Sequence, residues 1–130
     1  HCRRLAVTAS VDAMNYLKPL PLGHSVCVET YISGTGKKSV EVFCKVVGED
    51  VLNGERYLAA TSFWTFVALP REGEGDFTVD AIVPETDEEK FICSGYEERR
   101  KARLEQLGRQ EALMEHITVV KPWNLEESES

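Results

Sequence analysis

The fourth of four strand-like runs in this chain is apolar or small on both of its faces. From about Glu55 to Leu69 it sets Leu58, Ala60, Trp64 and Phe66 against Tyr57, Ala59, Phe63 and Val67. A strand of that kind is central in its sheet and covered on both sides. The runs before it alternate. Leu5, Val7, Ala9, Val11 and Ala13 oppose Arg4, Thr8, Ser10 and Asp12, and the phase slips through Met14-Asn15-Tyr16-Leu17, as at a bulge. Lys18-Pro19-Leu20-Pro21-Leu22-Gly23 then breaks the pattern, because proline cannot donate to a ladder. A second strand is expected over Ser25–Ser33, with Val26, Val28 and Ile32 on one face. A third is expected over Lys38–Gly48, with Val40, Val42, Cys44 and Val46 on one face and Glu41, Phe43, Lys45 and Val47 on the other. Asn53-Gly54 joins it to the fourth as a hairpin. Phe77–Val83 reads as a short edge strand.

Helix follows. Thr86 and Glu89 form a capping box behind Pro84, Gly95 interrupts, and Tyr96–Glu115 resumes with Glu97→Lys101 and Glu105→Arg109 pairs. About half the residues from Glu85 to Glu115 are charged, and only Leu104, Leu107 and Met114 make an apolar stripe. Such a helix is solvated or lies at an interface. It cannot cover the broad apolar face that four long strands create, so another segment or subunit must. The segments expected are an incomplete sheet domain over 1–83, a helical extension over 84–118, and a mobile acidic tail over 119–130.

The chain is one domain in length, with 42% apolar and 28% charged residues, so it is not a disordered polymer. No apolar run reaches the roughly 20 residues of a membrane span, and no leader peptide is visible. A net charge of −7 argues against coating nucleic acid. Cys2, Cys27, Cys44 and Cys93 form no C-x-x-C pair and no ligand-spaced cluster with His1, His24 or His116. Neither zinc nor a disulfide framework is expected; the cysteines read as buried thiols in a reducing cytoplasm, and His24 and His116 as surface histidines without partners.

Several blocks sharpen the fold. Val7-Thr8-Ala9-Ser10-Val11-Asp12, Leu17-Lys18-Pro19-Leu20 with Gly23, Ser39-Val40-Glu41-Val42, Gly54-Glu55-Arg56, Thr65-Phe66-Val67-Ala68-Leu69 and Val83-Pro84-Glu85-Thr86 resemble, in order and spacing, the acyl-CoA thioester hydrolase family of hotdog proteins. The resemblance covers roughly residues 3 to 90. It implies an α+β hotdog fold, a long antiparallel sheet wrapping a central helix, with the charged helix C-terminal to it. It also implies a homodimer with a continuous sheet, or a trimer of such dimers, that hydrolyses fatty acyl-CoA to free fatty acid and CoA. CoA is then part of the substrate, and no cofactor, metal, nucleic acid or membrane is involved. In the family an acidic residue at the start of the central helix activates water, while backbone amides there polarise the thioester carbonyl. Here His1-Cys2 resembles the end of that helix, so helix and carboxylate are expected upstream of residue 1 and no residue of the chain is assigned as general base.

The resemblance directs attention to two groups of residues. Thr8, Ser10 and Asp12 read as sharing one face of the first strand beside an acyl-CoA channel, with Asn15 at the slip near the thioester; the plain alternatives are a solvent-facing stripe and a bulge satisfied locally. Lys37, Lys38 and Ser39 follow Gly34 and Gly36, and two cations with a hydroxyl on a glycine turn suit the phosphates of CoA; the alternative is a solvated hairpin tip. The Arg99, Arg100, Lys101 and Arg103 cluster reads as a solvated helix face, and Trp64 and Phe66 as core. Besides hydrolysis, two functions stay open: a non-catalytic acyl-CoA- or CoA-binding hotdog domain, and enoyl-CoA hydration, which wants an Asp-His type pair on the helix.

Overall fold

A tight hairpin centres the sheet. β3 (Ser39–Asp50) and β4 (Glu55–Ala68) are joined through Asn53-Gly54. Gly54 takes φ +74°, a value glycine adopts without a Cβ penalty, and its N–H donates to the Asp50 carbonyl at 2.7 Å. Asn53 Oδ1 accepts from the Glu55 N–H at 2.8 Å. β1 (Ala6–Tyr16) pairs with the other side of β4, and β2 (Ser25–Thr35) with the other side of β3. The order is β1-β4-β3-β2, antiparallel throughout, so the strand with two apolar faces is interior. This computed structural model describes residues 3–124. His1-Cys2, where the sequence resembles a helix end, lie outside them.

Cross-strand partners present side chains to the same face. One face therefore carries Val40, Val42, Cys44 and Val46 with Trp64, Phe66, Ile32 and Val28; the other carries Phe43 and Lys45 with Phe63, Thr61, Tyr31 and Glu29. Phe43 lies 5.1 Å from Phe63 and 5.3 Å from Tyr31 between ring centroids, a tilted aromatic row across three strands.

The segment after β4 is not the edge strand expected over Phe77–Val83. It runs as an extended strap across the β2–β3 turn, where the Val79 N–H donates to the Lys37 carbonyl at 2.8 Å. Its anchors are apolar: Phe77 and Val79 are buried with Val40 and Ala68 against Ile32 and Val42. Arg4 reinforces it with a two-point ion pair to Glu74 (2.7 and 3.0 Å), and its guanidinium stacks 3.8 Å from the Phe77 ring. A segment pinned by two side chains and crossing a turn has no strand alongside it to form a ladder.

α1 (Asp87–Ser94) begins at the Thr86 cap, whose hydroxyl accepts from the Glu89 N–H at 3.1 Å. The Glu89 carboxylate reaches back to the Glu85 N–H at 2.9 Å, one residue before the cap, so the box closes one position early. Gly95 ends the helix and α2 (Tyr96–Met114) follows. The Tyr96 ring fills the space beside Gly34, where a Cβ would overlap it. The chain divides after Tyr96 into two compact units. α2 shows the polar character expected, with Leu104, Leu107 and Met114 exposed. Of the tail expected to be mobile, residues 119–121 carry no helix or strand, Pro122–Asn124 forms a 3-10 turn, and residues 125–130 lie outside the described residues.

Candidate functional site

A polar row crosses all four strands on the Phe43 face. Ser10 pairs with Thr65, Thr65 with Glu41, and Glu41 lies opposite Gly34 beside Ser33. Glu41 is only 3% exposed and its carboxylate accepts from the Ser33 hydroxyl, itself 0% exposed, at 2.7 Å. A buried carboxylate persists only where hydrogen bonds hold it. The sequence pattern puts Glu41 on the Phe43 face but carries no sign that this end of the face is closed, and Glu41 does not stand out among the candidates there. At the β1 end of the row the Ser10 hydroxyl donates to Asp12 Oδ2 at 2.8 Å.

Thr8 does not belong to this row. The expected single face for Thr8, Ser10 and Asp12 is broken by a register shift at Ala9: Thr8 pairs with Phe66, whereas Ser10 pairs with Thr65 and Asp12 with Phe63. One extra residue moves the side chain to the opposite face, so Thr8 joins the Val42 face. A second shift lies between Asp12 and Asn15, where Ala13 adopts φ +47°. The Asn15 amide donates to the Ala13 carbonyl at 2.9 Å, satisfying that irregularity locally.

Lys37, Lys38 and Ser39 sit together at the β2–β3 turn, where backbone hydrogen bonds hold the chain. The Gly36 N–H donates to the Ser39 carbonyl at 2.9 Å, and the Lys38 carbonyl accepts from Ala68 at 2.7 Å. A Cβ on Gly36 would lie 2.6 Å from Ser39 Oγ, so the glycines serve close packing, with Tyr96 over one and Ser39 under the other. The Tyr96 hydroxyl is buried beside this turn and has no hydrogen-bond partner among the described residues. The two lysine side chains turn outward to one carboxylate: Asp76 Oδ2 lies 3.0 Å from Lys37 Nζ and Oδ1 lies 3.5 Å from Lys38 Nζ. The hydrogen bond from Lys37 holds the Asp76 carboxyl below its usual range.

α1 crosses the Phe43 face over a cavity of about 490 Å³, walled by Phe43, Val47, Leu58, Phe63 and Ile92 together with Lys45 and Glu88. Glu88 latches the helix down. It accepts from Lys45 Nζ at 3.0 and 3.1 Å and from the Tyr31 hydroxyl at 3.0 Å. The Lys45 contact lowers the Glu88 carboxyl and raises the Lys45 ammonium, while burial followed by the Glu88 contact pushes the Tyr31 hydroxyl far above the usual phenol range.

Three other expectations change or sharpen. His24 is not a partnerless surface histidine; Nδ1 lies 2.8 Å from the Tyr57 hydroxyl and Nε2 3.9 Å from Asp50. The cysteines are free but not buried: Cys27 is exposed and Cys44 and Cys93 are half-buried, with Cys2 outside the described residues. Trp64 and Phe66 are half-buried, the indole N–H donating to Ser62 Oγ at 2.8 Å. Among the described residues no helix is long and apolar enough to cross a membrane.

Comparison with known proteins places this arrangement. The thioesterase superfamily model matches residues 1–54. An uncharacterized acyl-CoA thioester hydrolase of Bacillus subtilis, YkhA, is 44% identical over 123 residues, 95% of this chain and 71% of that protein. A human cytosolic acyl coenzyme A thioester hydrolase is 37% identical over 92 residues, 69% of this chain and 24% of that one. Among solved structures, a Bacillus cereus acyl-CoA hydrolase superposes with TM-score 0.84 at 36% identity, covering 91% of this chain and 71% of that chain. A Staphylococcus aureus acyl-CoA hydrolase in complex with butyryl coenzyme A and coenzyme A gives 0.81 at 33%, covering 89% and 70%. A hexameric acyl-CoA thioesterase gives 0.74 at 31%, covering 82% and 68%.

Proposed function

The chain belongs to the acyl-CoA thioester hydrolase family, with the hotdog sheet of its structural relatives, and on that premise we propose that the protein hydrolyses fatty acyl-CoA to free fatty acid and CoA. The observation that carries this is a 44% identity extending over 95% of the chain, together with a sheet that superposes on a hydrolase holding butyryl-CoA and CoA. In the reaction, water adds to the thioester carbonyl, the C–S bond breaks, and CoA leaves as its thiol. A general base and donors for the developing oxyanion are required. This reading assigns the base to none of these residues.

The chain's own share is binding. Lys37 and Lys38 present two ammonium groups to the CoA phosphates, with Ser39 beside them. Ser10 and Asp12, bonded to each other on the Phe43 face, are the first-strand residues proposed to border the channel; Asn15 closes the irregularity next to them, and Thr8 serves the opposite face. CoA enters as part of the substrate and leaves as a product, so this reading calls for no separate cofactor. A homodimer, or a trimer of such dimers, is supported by the hexameric relative, and a cytoplasmic location by the cytosolic relative.

The test is loss of thioester absorbance when the full-length protein meets acyl-CoA of graded chain length. Thiol reagents would be confounded by the four cysteines. Turnover is expected. An intact full-length protein that leaves every acyl-CoA unchanged, yet is thermally protected by CoA, would be a binding module instead.

A further inference from the structure

We infer that Asp76 is a built-in competitor for the CoA phosphate site, a carboxylate that occupies the two lysines of the β2–β3 turn until a phosphate displaces it. This rests on the proposal that Lys37 and Lys38 anchor CoA.

The geometry is that of an occupied anion site. One carboxylate spreads its two oxygens over two ammonium groups, at 3.0 Å to Lys37 and 3.5 Å to Lys38. A phosphate monoester offers the same fork of oxygens with up to twice the charge, so it satisfies the same pair of cations more strongly. All three side chains are about half or more exposed, at 63%, 49% and 67% for Lys37, Lys38 and Asp76, so an incoming anion reaches them without opening the fold.

Asp76 is also dispensable as a tether. The strap is held on one side of it by the Arg4–Glu74 pair and on the other by buried Phe77 and Val79 and the Val79–Lys37 backbone bond. The carboxylate can therefore swing away by side-chain rotation alone while the strap stays in place. Because the strap is fixed, Asp76 stays at high effective concentration beside the lysines. Each exposed ion pair is weak, so the competition is set to be lost to a ligand with several phosphate charges.

The experiment measures Kd for CoA and for pantetheine, which lacks the nucleotide phosphates, on the full-length protein at fixed ionic strength. Asp76→Asn is expected to tighten CoA roughly three- to tenfold, the range two exposed pairs allow, and to leave pantetheine unchanged. Glu72→Gln removes the same charge from the same exposed segment four residues earlier in the chain, and is expected to change CoA binding much less. In a Lys37→Ala/Lys38→Ala background the Asp76→Asn gain is expected to vanish. Unchanged CoA binding in Asp76→Asn, an equal gain in Glu72→Gln, or a gain that survives loss of both lysines would each overturn the inference. So would wild-type protein that binds CoA no better than pantetheine, which would remove the lysine anchor as well. None of these outcomes bears on whether acyl-CoA is hydrolysed, so the inference and the enzymatic reading fail separately.

Discussion

Glu41 is a buried carboxylate in the interior of the sheet. Its carboxylate holds the hydroxyl of a fully buried serine, so removing it strands a polar group with no route to water. Glu41→Ala is expected to cost about 1–3 kcal/mol or more in denaturant unfolding, while Glu41→Gln, which keeps an acceptor, is expected to cost less. Equal losses from both would mean that Ser33 is satisfied without Glu41. The face on which Glu41 lies was legible, because β3 alternates cleanly from Val40 to Val46 before its register shifts. Its burial was not legible, since that depends on residues far away in the chain. The same holds for Asp76, whose lysine partners lie nearly forty positions earlier, and for His24, whose Tyr57 partner is 33 residues away.

Elements follow the same division. The hairpin at Asn53-Gly54 and the Thr86 cap announce themselves because the chemistry is local and the residue types are diagnostic. β1 is harder to read. Its two register shifts fall at Ala9 and around Ala13, neither a glycine, so nothing in the residue types marks where Thr8 parts from Ser10. The strap reads in sequence as a short edge strand, yet its Phe77 and Val79 bury side chains over a turn. Its Arg4 clamp gives a pH prediction. Hydrogen bonding from Arg4 lowers the Glu74 carboxyl from 4.5 to about 2, so the folded state binds that proton less readily than the unfolded chain. The stabilisation is present above pH 4.5 and is lost as pH falls toward about 2. Thermal melts between those limits are expected to show Glu74→Gln less acid-sensitive than wild type; parallel curves would assign the sensitivity elsewhere.

For the whole molecule, half-exposed Val11, Val26 and Val28 leave apolar surface on the Val42 face of the sheet, open to a partner. Light scattering on the full-length protein is expected to give a dimer or hexamer mass, and a stable monomer would contradict the proposed assembly. The family was legible because its blocks lie on the strands, the turns that join them and the entry to α1, where local sequence and fold coincide. The identity of the base was not, since no residue of this chain carries the match. The most direct test of the account is hydrolysis of acyl-CoA by the full-length protein in heavy-oxygen water, with both products analysed by mass. The account predicts free fatty acid carrying one solvent oxygen and CoA carrying none. Unreacted acyl-CoA, or acyl transfer without the label, would contradict it.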